Sequence, residues 1–215
     1  PWLSTDGVTL GSLGLSGEGW FDGYSLLQAL RRKALAPGVR YVQAEAVGMD
    51  TQASGGVQHI SALRLGDGTR LECSAVVNAG GAWARPVAQW LGIDLPVFGK
   101  RRTVFHFTCP EALPGCPLLI DPSGIWLRPE GTGFIAGYAP PEDADPDDAP
   151  LDPDHAAFEE HVWPQLAERI PAFEALRLHS SWAGYYEMNA FDHNAILGQH
   201  PACDNLYFAN GFSGH

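Results

Sequence analysis

The stretch Val76-Val77-Asn78-Ala79-Gly80-Gly81-Ala82-Trp83 constrains the fold more than any other part of the chain. A short apolar run, sized for a buried strand, passes directly into two glycines. Residues 83–91 then carry helical spacing, broken around Gly92 and Pro96. Strand, glycine turn and helix in that order belong to an open α/β sheet, whose ligands gather at the carboxyl ends of parallel strands. A backbone without Cβ comes close to a phosphate or ribose, and the first N–H groups of the following helix are unpaired. The same residues also make a tight turn with no ligand, and periodicity does not choose between the two. No GxGxxG fingerprint occurs anywhere in the chain.

The neighbouring segments extend this reading. Residues 25–35 have helical apolar spacing with Arg31, Arg32 and Lys33 toward the end that the helix dipole favours for cations, and Pro37-Gly38 stops them. Residues 39–47 follow as a predicted strand, giving the helix-to-strand unit of an α/β sheet. Two further strands, 57–65 and 69–73, flank the turn Gly66-Asp67-Gly68. Beyond Pro96 the texture changes: 97–108, 124–128 and 134–138 read as strands between Gly/Pro turns, which fits an antiparallel or mixed sheet in a second domain. Residues 154–170 read as a helix capped by Asp152 or Asp154 and kinked at Pro164, before strand character returns at 177–188, 195–198 and 205–209. The expected fold class is therefore α/β (α+β), with domains at 1–95 and 96–190 and a return to the first over 191–215.

Composition excludes several functions. With 215 residues the chain can bury a sizeable core, and a formal net charge of −12 opposes binding to nucleic acid or to an anionic membrane surface. No apolar run approaches the roughly 20 residues that a membrane helix needs. The acidic, Pro-rich residues 140–148 read as a solvated loop kept extended by its own charge, not as a metal site. Cys73, Cys109, Cys116 and Cys203 lack CxxC spacing and read as reduced thiols of a cytoplasmic protein. Pro1-Trp2-Leu3-Ser4 has neither the basic head nor the apolar centre of a secretory leader. The missing initiator Met, and a last residue inside a motif, make a piece of a longer chain the expectation.

Two more constellations carry chemistry. In Trp182-Ala183-Gly184-Tyr185-Tyr186-Glu187-Met188-Asn189-Ala190-Phe191-Asp192, aromatics stand beside few polar groups, as in a small-ligand pocket, although aromatics packed in a sheet core look the same. In Tyr207-Phe208-Ala209-Asn210-Gly211-Phe212-Ser213-Gly214-His215, a strand ends in a Gly-x-x-Gly turn that aims backbone N–H groups at an electron-rich partner, or simply turns.

Glu18-Gly19-Trp20-Phe21-Asp22, Val77-Asn78-Ala79-Gly80-Gly81-Ala82-Trp83 and Gly211-Phe212-Ser213-Gly214-His215, in this order, resemble the D-amino-acid oxidase, glycine oxidase and sarcosine oxidase family. Trp163-Pro164, Pro171-Ala172-Phe173-Glu174, Trp182-Ala183-Gly184-Tyr185-Tyr186 and Phe191-Asp192 resemble one branch of it more closely. That branch holds the mitochondrial FAD-dependent oxidoreductase domain-containing proteins linked to respiratory complex I assembly. The resemblance implies a partial Rossmann-like FAD-binding domain, lacking its GxGxxG segment and final helix, beside a substrate domain. It implies oxidation of an amine or amino acid by hydride transfer to flavin N5, followed by imine hydrolysis. Cofactor contacts would come from Val47, Ala79, Gly80, Gly81, Trp83, Gly211, Phe212, Ser213, Gly214 and His215. Tyr185 and Tyr186 would lie on the substrate side, and His215 and Tyr186 would be the residues nearest the chemistry. Arg128, ahead of Arg101 and Arg102, would anchor a substrate carboxylate. Where sarcosine oxidases bond flavin through a cysteine, this chain has Gly184, so FAD is expected to be non-covalent. The alternatives of another class are a flavoprotein-like assembly factor and an inactive piece. The substrate, the electron acceptor and the oligomeric state are left open.

Overall fold

Strand β5 (Val97–Thr108) alternates buried and half-buried residues over most of its length, the period-2 pattern of a strand with one face on a core. The computed structural model describes residues 2–214, grouped into two compact units. Unit 1 holds residues 2–34, Arg101–Asp145 and Pro150–Gly184; unit 2 holds Leu35–Lys100, Pro146–Ala149 and residues 185–214. Among the described residues no helix is long and apolar enough to cross a membrane.

Unit 1 is built on a five-stranded sheet of order β6-β7-β8-β5-β9, from β6 (Leu119–Ile120), β7 (Ile125–Glu130), β8 (Gly133–Tyr138), β5 and β9 (Arg177–Asn189). The pairs β6/β7, β7/β8 and β8/β5 are antiparallel, and short Gly-containing turns join the first two pairs. Phe105, Phe107, Ile125, Leu127, Phe134 and Ala136 leave one face of this sheet and meet Phe158, Val162, Leu166, Ile170 and Phe173. Phe173 stands edge-on to Phe107 and Phe134 with ring centroids 5.1 and 5.2 Å apart, the geometry that aromatic quadrupoles favour.

The predicted helix over 154–170 is present but is not one α-helix. Asp154 caps it by accepting from the Ala157 N–H at 3.2 Å. A π-helical turn, Phe158–Val162, then separates His155–Ala157 from the α-helix Trp163–Arg169. The wide turn lies just ahead of Pro164, whose ring and missing N–H do not fit a regular helix interior. Helix α1 (Gly23–Leu35) begins two residues earlier than its apolar pattern, because Asp22 accepts from the Ser25 N–H at 2.8 Å. None of its residues is buried.

The acidic loop lies at the surface, as expected, with residues 141–144 and 146–148 exposed, yet three of its carboxylates are engaged. Asp145 forms a two-pronged pair with Arg102, both contacts 2.8 Å, and Asp154 pairs with Arg101 at 3.1 Å. Within unit 2, Asp147 pairs with Lys100 at 2.7 Å, and Asp148 accepts from the Gly99 N–H at 2.9 Å. Lys100 and Arg102 on β5 offset part of the loop's charge, so this exposed segment is also fastened to the strand.

Unit 2 contains two three-stranded sheets. One has the order β1-β2-β3, from β1 (Ala46–Ser54), β2 (Val57–Leu65) and β3 (Arg70–Glu72). The other has the order β10-β11-β4, from β10 (Ile196–Gln199), β11 (Leu206–Asn210) and β4 (Val76–Asn78). The strand predicted over 39–47 forms only from Ala46; Val39, Tyr41 and Val42 are 56%, 58% and 44% exposed and lack regular structure. A strand needs a neighbour for its ladder, and no described strand runs beside 39–45. Asn205 joins the two sheets. Its amide donates to the carbonyls of Ile60 and Ser74 at 2.7 and 3.1 Å, and its oxygen accepts from the Ile60 N–H at 2.8 Å. Val76, Ala84, Ala88, Leu91, Ile93, Val97, Leu206 and Phe208 form the core beneath.

Candidate cofactor and substrate site

Strands β4 and β11 are parallel neighbours, with Leu206 opposite Val76 and Phe208 opposite Asn78. Their carboxyl ends therefore open side by side, and each runs into a glycine turn. At the end of β4, the Asn78 amide donates to the Ala84 carbonyl at 2.9 Å while its oxygen accepts from the Gly80 N–H at 3.1 Å. One buried side chain thus ties the strand to both sides of the turn and to the start of helix α2 (Ala84–Gln89). Gly81 has φ +58°, and the space where a Cβ would stand is open. At the end of β11, Gly211, Ser213 and Gly214 have φ +72°, +58° and +93°. A Cβ on Gly211 would lie 3.1 Å from Asn189 Cβ and 3.3 Å from Val97 Cγ2, so glycine is needed there for conformation and for room.

The final residues of β9 border these turns. Met188 bridges Phe212, and the Ser213 N–H donates to the Glu187 carbonyl at 3.1 Å. The Tyr186 ring lies against Gly214 so closely that a Cβ there would overlap it. Tyr185 stands edge-on to Trp83 with centroids 5.7 Å apart, and its hydroxyl donates to the Ala149 carbonyl at 2.6 Å. Tyr185 is thus occupied in supporting the first turn, whereas Tyr186 is 36% exposed beside the second.

Unit 2 therefore brings together Ala79, Gly80, Gly81, Trp83, Tyr185, Tyr186, Gly211, Phe212, Ser213 and Gly214 of the expected set. Val47 lies in the other sheet of the same unit, half exposed. Arg128 lies in unit 1 on β7, where its guanidinium pairs with Glu130, donates to the Pro129 carbonyl at 3.0 Å and covers the Trp20 ring at 5.7 Å. Arg102 holds the acidic loop through Asp145, and Arg101 pairs with the helix-capping Asp154. His215 lies outside the described residues.

Sequence reasoning overlooked a set of asparagines. Strands β4, β9 and β11 end in Asn78, Asn189 and Asn210, which are 3%, 4% and 0% exposed. Asn189 fixes the loop behind it, donating to Asp192 Oδ1 and the Asn194 carbonyl at 2.8 and 2.7 Å. The mark was legible, since each stands directly before Ala or Gly where an apolar strand stops. Among the described residues neither side-chain atom of Asn210 has a partner, and neither does Oε2 of Glu187, which are costly conditions for buried polar groups. The residues fit a dinucleotide: glycine turns at paired parallel strand ends, the first open where a Cβ would stand, and at the base of the second a buried carboxamide with donor and acceptor unused among the described residues.

Parallel strands ending in glycine turns define a nucleotide-binding α/β protein. More particularly, the chain belongs to the FAD dependent oxidoreductase family, whose model matches residues 1–215. It is 44% identical to FAD-dependent oxidoreductase domain-containing protein 1 of Xenopus laevis over its whole length, which is 49% of that relative. Among solved structures it is similar to L-proline dehydrogenase from P. horikoshii, with TM-score 0.74 and 24% identity over 89% of this chain and 50% of that one. It is also similar to glycine oxidase from Geobacillus kaustophilus, with TM-score 0.64 and 20% identity over 81% of this chain and 44% of that one. The chain thus spans about half the length of the relatives it matches.

Proposed function

We propose that this protein oxidises the C–N bond of an amine or amino acid, using FAD held without a covalent bond. The observation that carries the reading is the contact between Tyr186, at the end of β9, and Gly214, in the turn that closes β11. It sets an exposed aromatic wall directly beside a glycine-lined dinucleotide turn. The names of the structural relatives, a proline dehydrogenase and a glycine oxidase, support the substrate class.

In this reading the backbone of Ala79–Gly81 and Gly211–Gly214 holds the cofactor, and Trp83 flanks it, propped by Tyr185. Bound FAD supplies the hydride acceptor. Tyr186 orients the substrate and excludes water on one side, and His215, which follows Gly214 in the chain, is the second residue assigned to the chemistry. Gly184 offers no nucleophile, and the four free thiols stand at positions 73, 109, 116 and 203, which supports non-covalent binding. The test is an absorbance spectrum of the purified protein from about 300 to 550 nm, before and after denaturation. Flavin bands that pass into the protein-free filtrate on denaturation support the reading. Bands that stay with the polypeptide overturn the non-covalent part, and a protein that stays colourless with added FAD overturns the function.

A further inference from the structure

We propose that Ser213 is a positioning residue: its hydroxyl fastens the Gly211–Gly214 turn to the end of β9 and so sets the spacing between that turn and Tyr186. The inference deepens the flavin reading above and rests on it.

Ser213 is one of three described non-glycine residues with positive φ, at +58°, and it is only 9% exposed. Left-handed backbone at a residue with a Cβ persists where the surroundings hold it. Here the holders are identifiable. The Ser213 Oγ accepts from the Asn189 N–H at 3.0 Å and donates its own proton to the Gly211 carbonyl at 2.9 Å. The Ser213 N–H donates to the Glu187 carbonyl at 3.1 Å. Together with the Met188–Phe212 bridge these bonds make a short ladder between the turn and β9.

Both ends of the ladder lie next to the proposed chemistry. Glu187 follows Tyr186, Ser213 precedes Gly214, and the Tyr186 ring lies against Gly214. On the far side, Asn189 is held by its own bonds to Asp192 and Asn194, so the anchor is firm. The hydroxyl proton is directed inward, so this side chain has no donor left for a cofactor. Its role is to hold the turn and the tyrosine in register, not to bind flavin itself.

The test compares Ser213→Ala with Ser213→Gly in the full chain. Alanine removes the hydroxyl and keeps the disfavoured φ, whereas glycine removes the hydroxyl and relieves it. Hydrogen exchange at the Asn189 amide, measured without flavin, is expected to quicken about tenfold in both variants, as for loss of one buried hydrogen bond. With FAD added, the dissociation constant read by flavin fluorescence is expected to rise roughly tenfold in both, the effect of one such bond. The visible band of the bound flavin is expected to shift as its surroundings loosen. Unchanged Asn189 exchange in Ser213→Ala overturns the fastening. Wild-type FAD affinity and spectrum in Ser213→Gly overturn the positioning role, because strain alone would then explain any loss in alanine. A wild-type protein that takes up no FAD overturns the flavin reading instead, and quickened exchange in the variants would still support the fastening.

Discussion

Four glycines separate the two reasons a chain needs glycine, conformation and room, and alanine substitutions there should have graded costs. Gly184 has ordinary φ and nothing within 4 Å of a built Cβ. Gly184→Ala should therefore stabilise by about 0.4–1 kcal/mol through reduced freedom of the unfolded chain. Gly81 has φ +58° with open space, so alanine meets only backbone strain, about 1–2 kcal/mol. Gly99 is the converse: its φ is ordinary, but a Cβ would stand 2.8 Å from Asp148 Oδ1 and 3.2 Å from both Ala82 Cβ and Tyr185 Cδ1. Crowding of that kind costs about 1–3 kcal/mol. Gly211 combines φ +72° with contacts at 3.1 and 3.3 Å to buried neighbours. Strain plus mild crowding gives Gly211→Ala about 2–4 kcal/mol, the largest figure when contacts are weighed with conformation. Urea midpoints at constant slope read the four differences. The reasoning fails if Gly184→Ala costs as much as Gly211→Ala, or if Gly81→Ala is neutral.

Asn205→Ala leaves the Ile60 N–H and carbonyl unpaired in a buried position, and should lower stability by roughly 2–4 kcal/mol in the same urea assay. Asp121 is pulled two ways: burial pushes its carboxyl up, while bonds from Ser123 and the Arg169 guanidinium together bring it below its ordinary 3.8. A depressed folded pKa contributes stability above the unfolded value, and that contribution is lost as pH falls through the folded one. Asp121→Asn should accordingly be less stable than wild type by about 1–3 kcal/mol at pH 7, with the gap closing below about pH 4 in acid titrations followed by fluorescence. Cys116 and Cys203 are buried, and burial also pushes the Cys116 thiol up, whereas Cys109 is half-buried. Brief maleimide labelling read by mass spectrometry should mark Cys109 before Cys116 and Cys203, and all four thiols only in denaturant.

Legibility followed the range of the forces involved. Strands β2 and β5 appear with the predicted bounds because alternation over nine and twelve residues is a local property of the chain. The strand expected at 39–47 did not form along most of its length, because a strand also depends on a neighbour that no periodicity encodes. The acidic loop is exposed as its composition predicts, but its ion pairs were not legible: the cation that meets Asp145 is Arg102 on β5, more than forty positions earlier. At the site, both glycine turns were visible as motifs. Their union depends on the parallel pairing of β4 with β11, a register set between distant segments. Asn78, Asn189 and Asn210 stood in plain view before Ala or Gly. The bracing role of Asn78 and Asn189, and the unused carboxamide of Asn210, needed the hydrogen bonds to be seen.

Charge decides how such a site would hold an anionic dinucleotide. The chain carries a net charge of −12, and the cations on β5 are engaged by Asp145, Asp147 and Asp154. Arg85, the cation closest in sequence to the first turn, pairs with Asp94 at 2.7 Å and covers the Phe98 ring at 4.5 Å. Recognition would then rest on backbone N–H groups of the turns, which act at contact distance and release few counterions. Ionic attraction by clustered side chains would instead weaken steeply with salt. FAD titrations at about 50 and 500 mM salt should therefore give dissociation constants within roughly threefold of each other. A tenfold or larger loss at the higher salt would mean that side-chain cations, not the glycine turns, carry the binding.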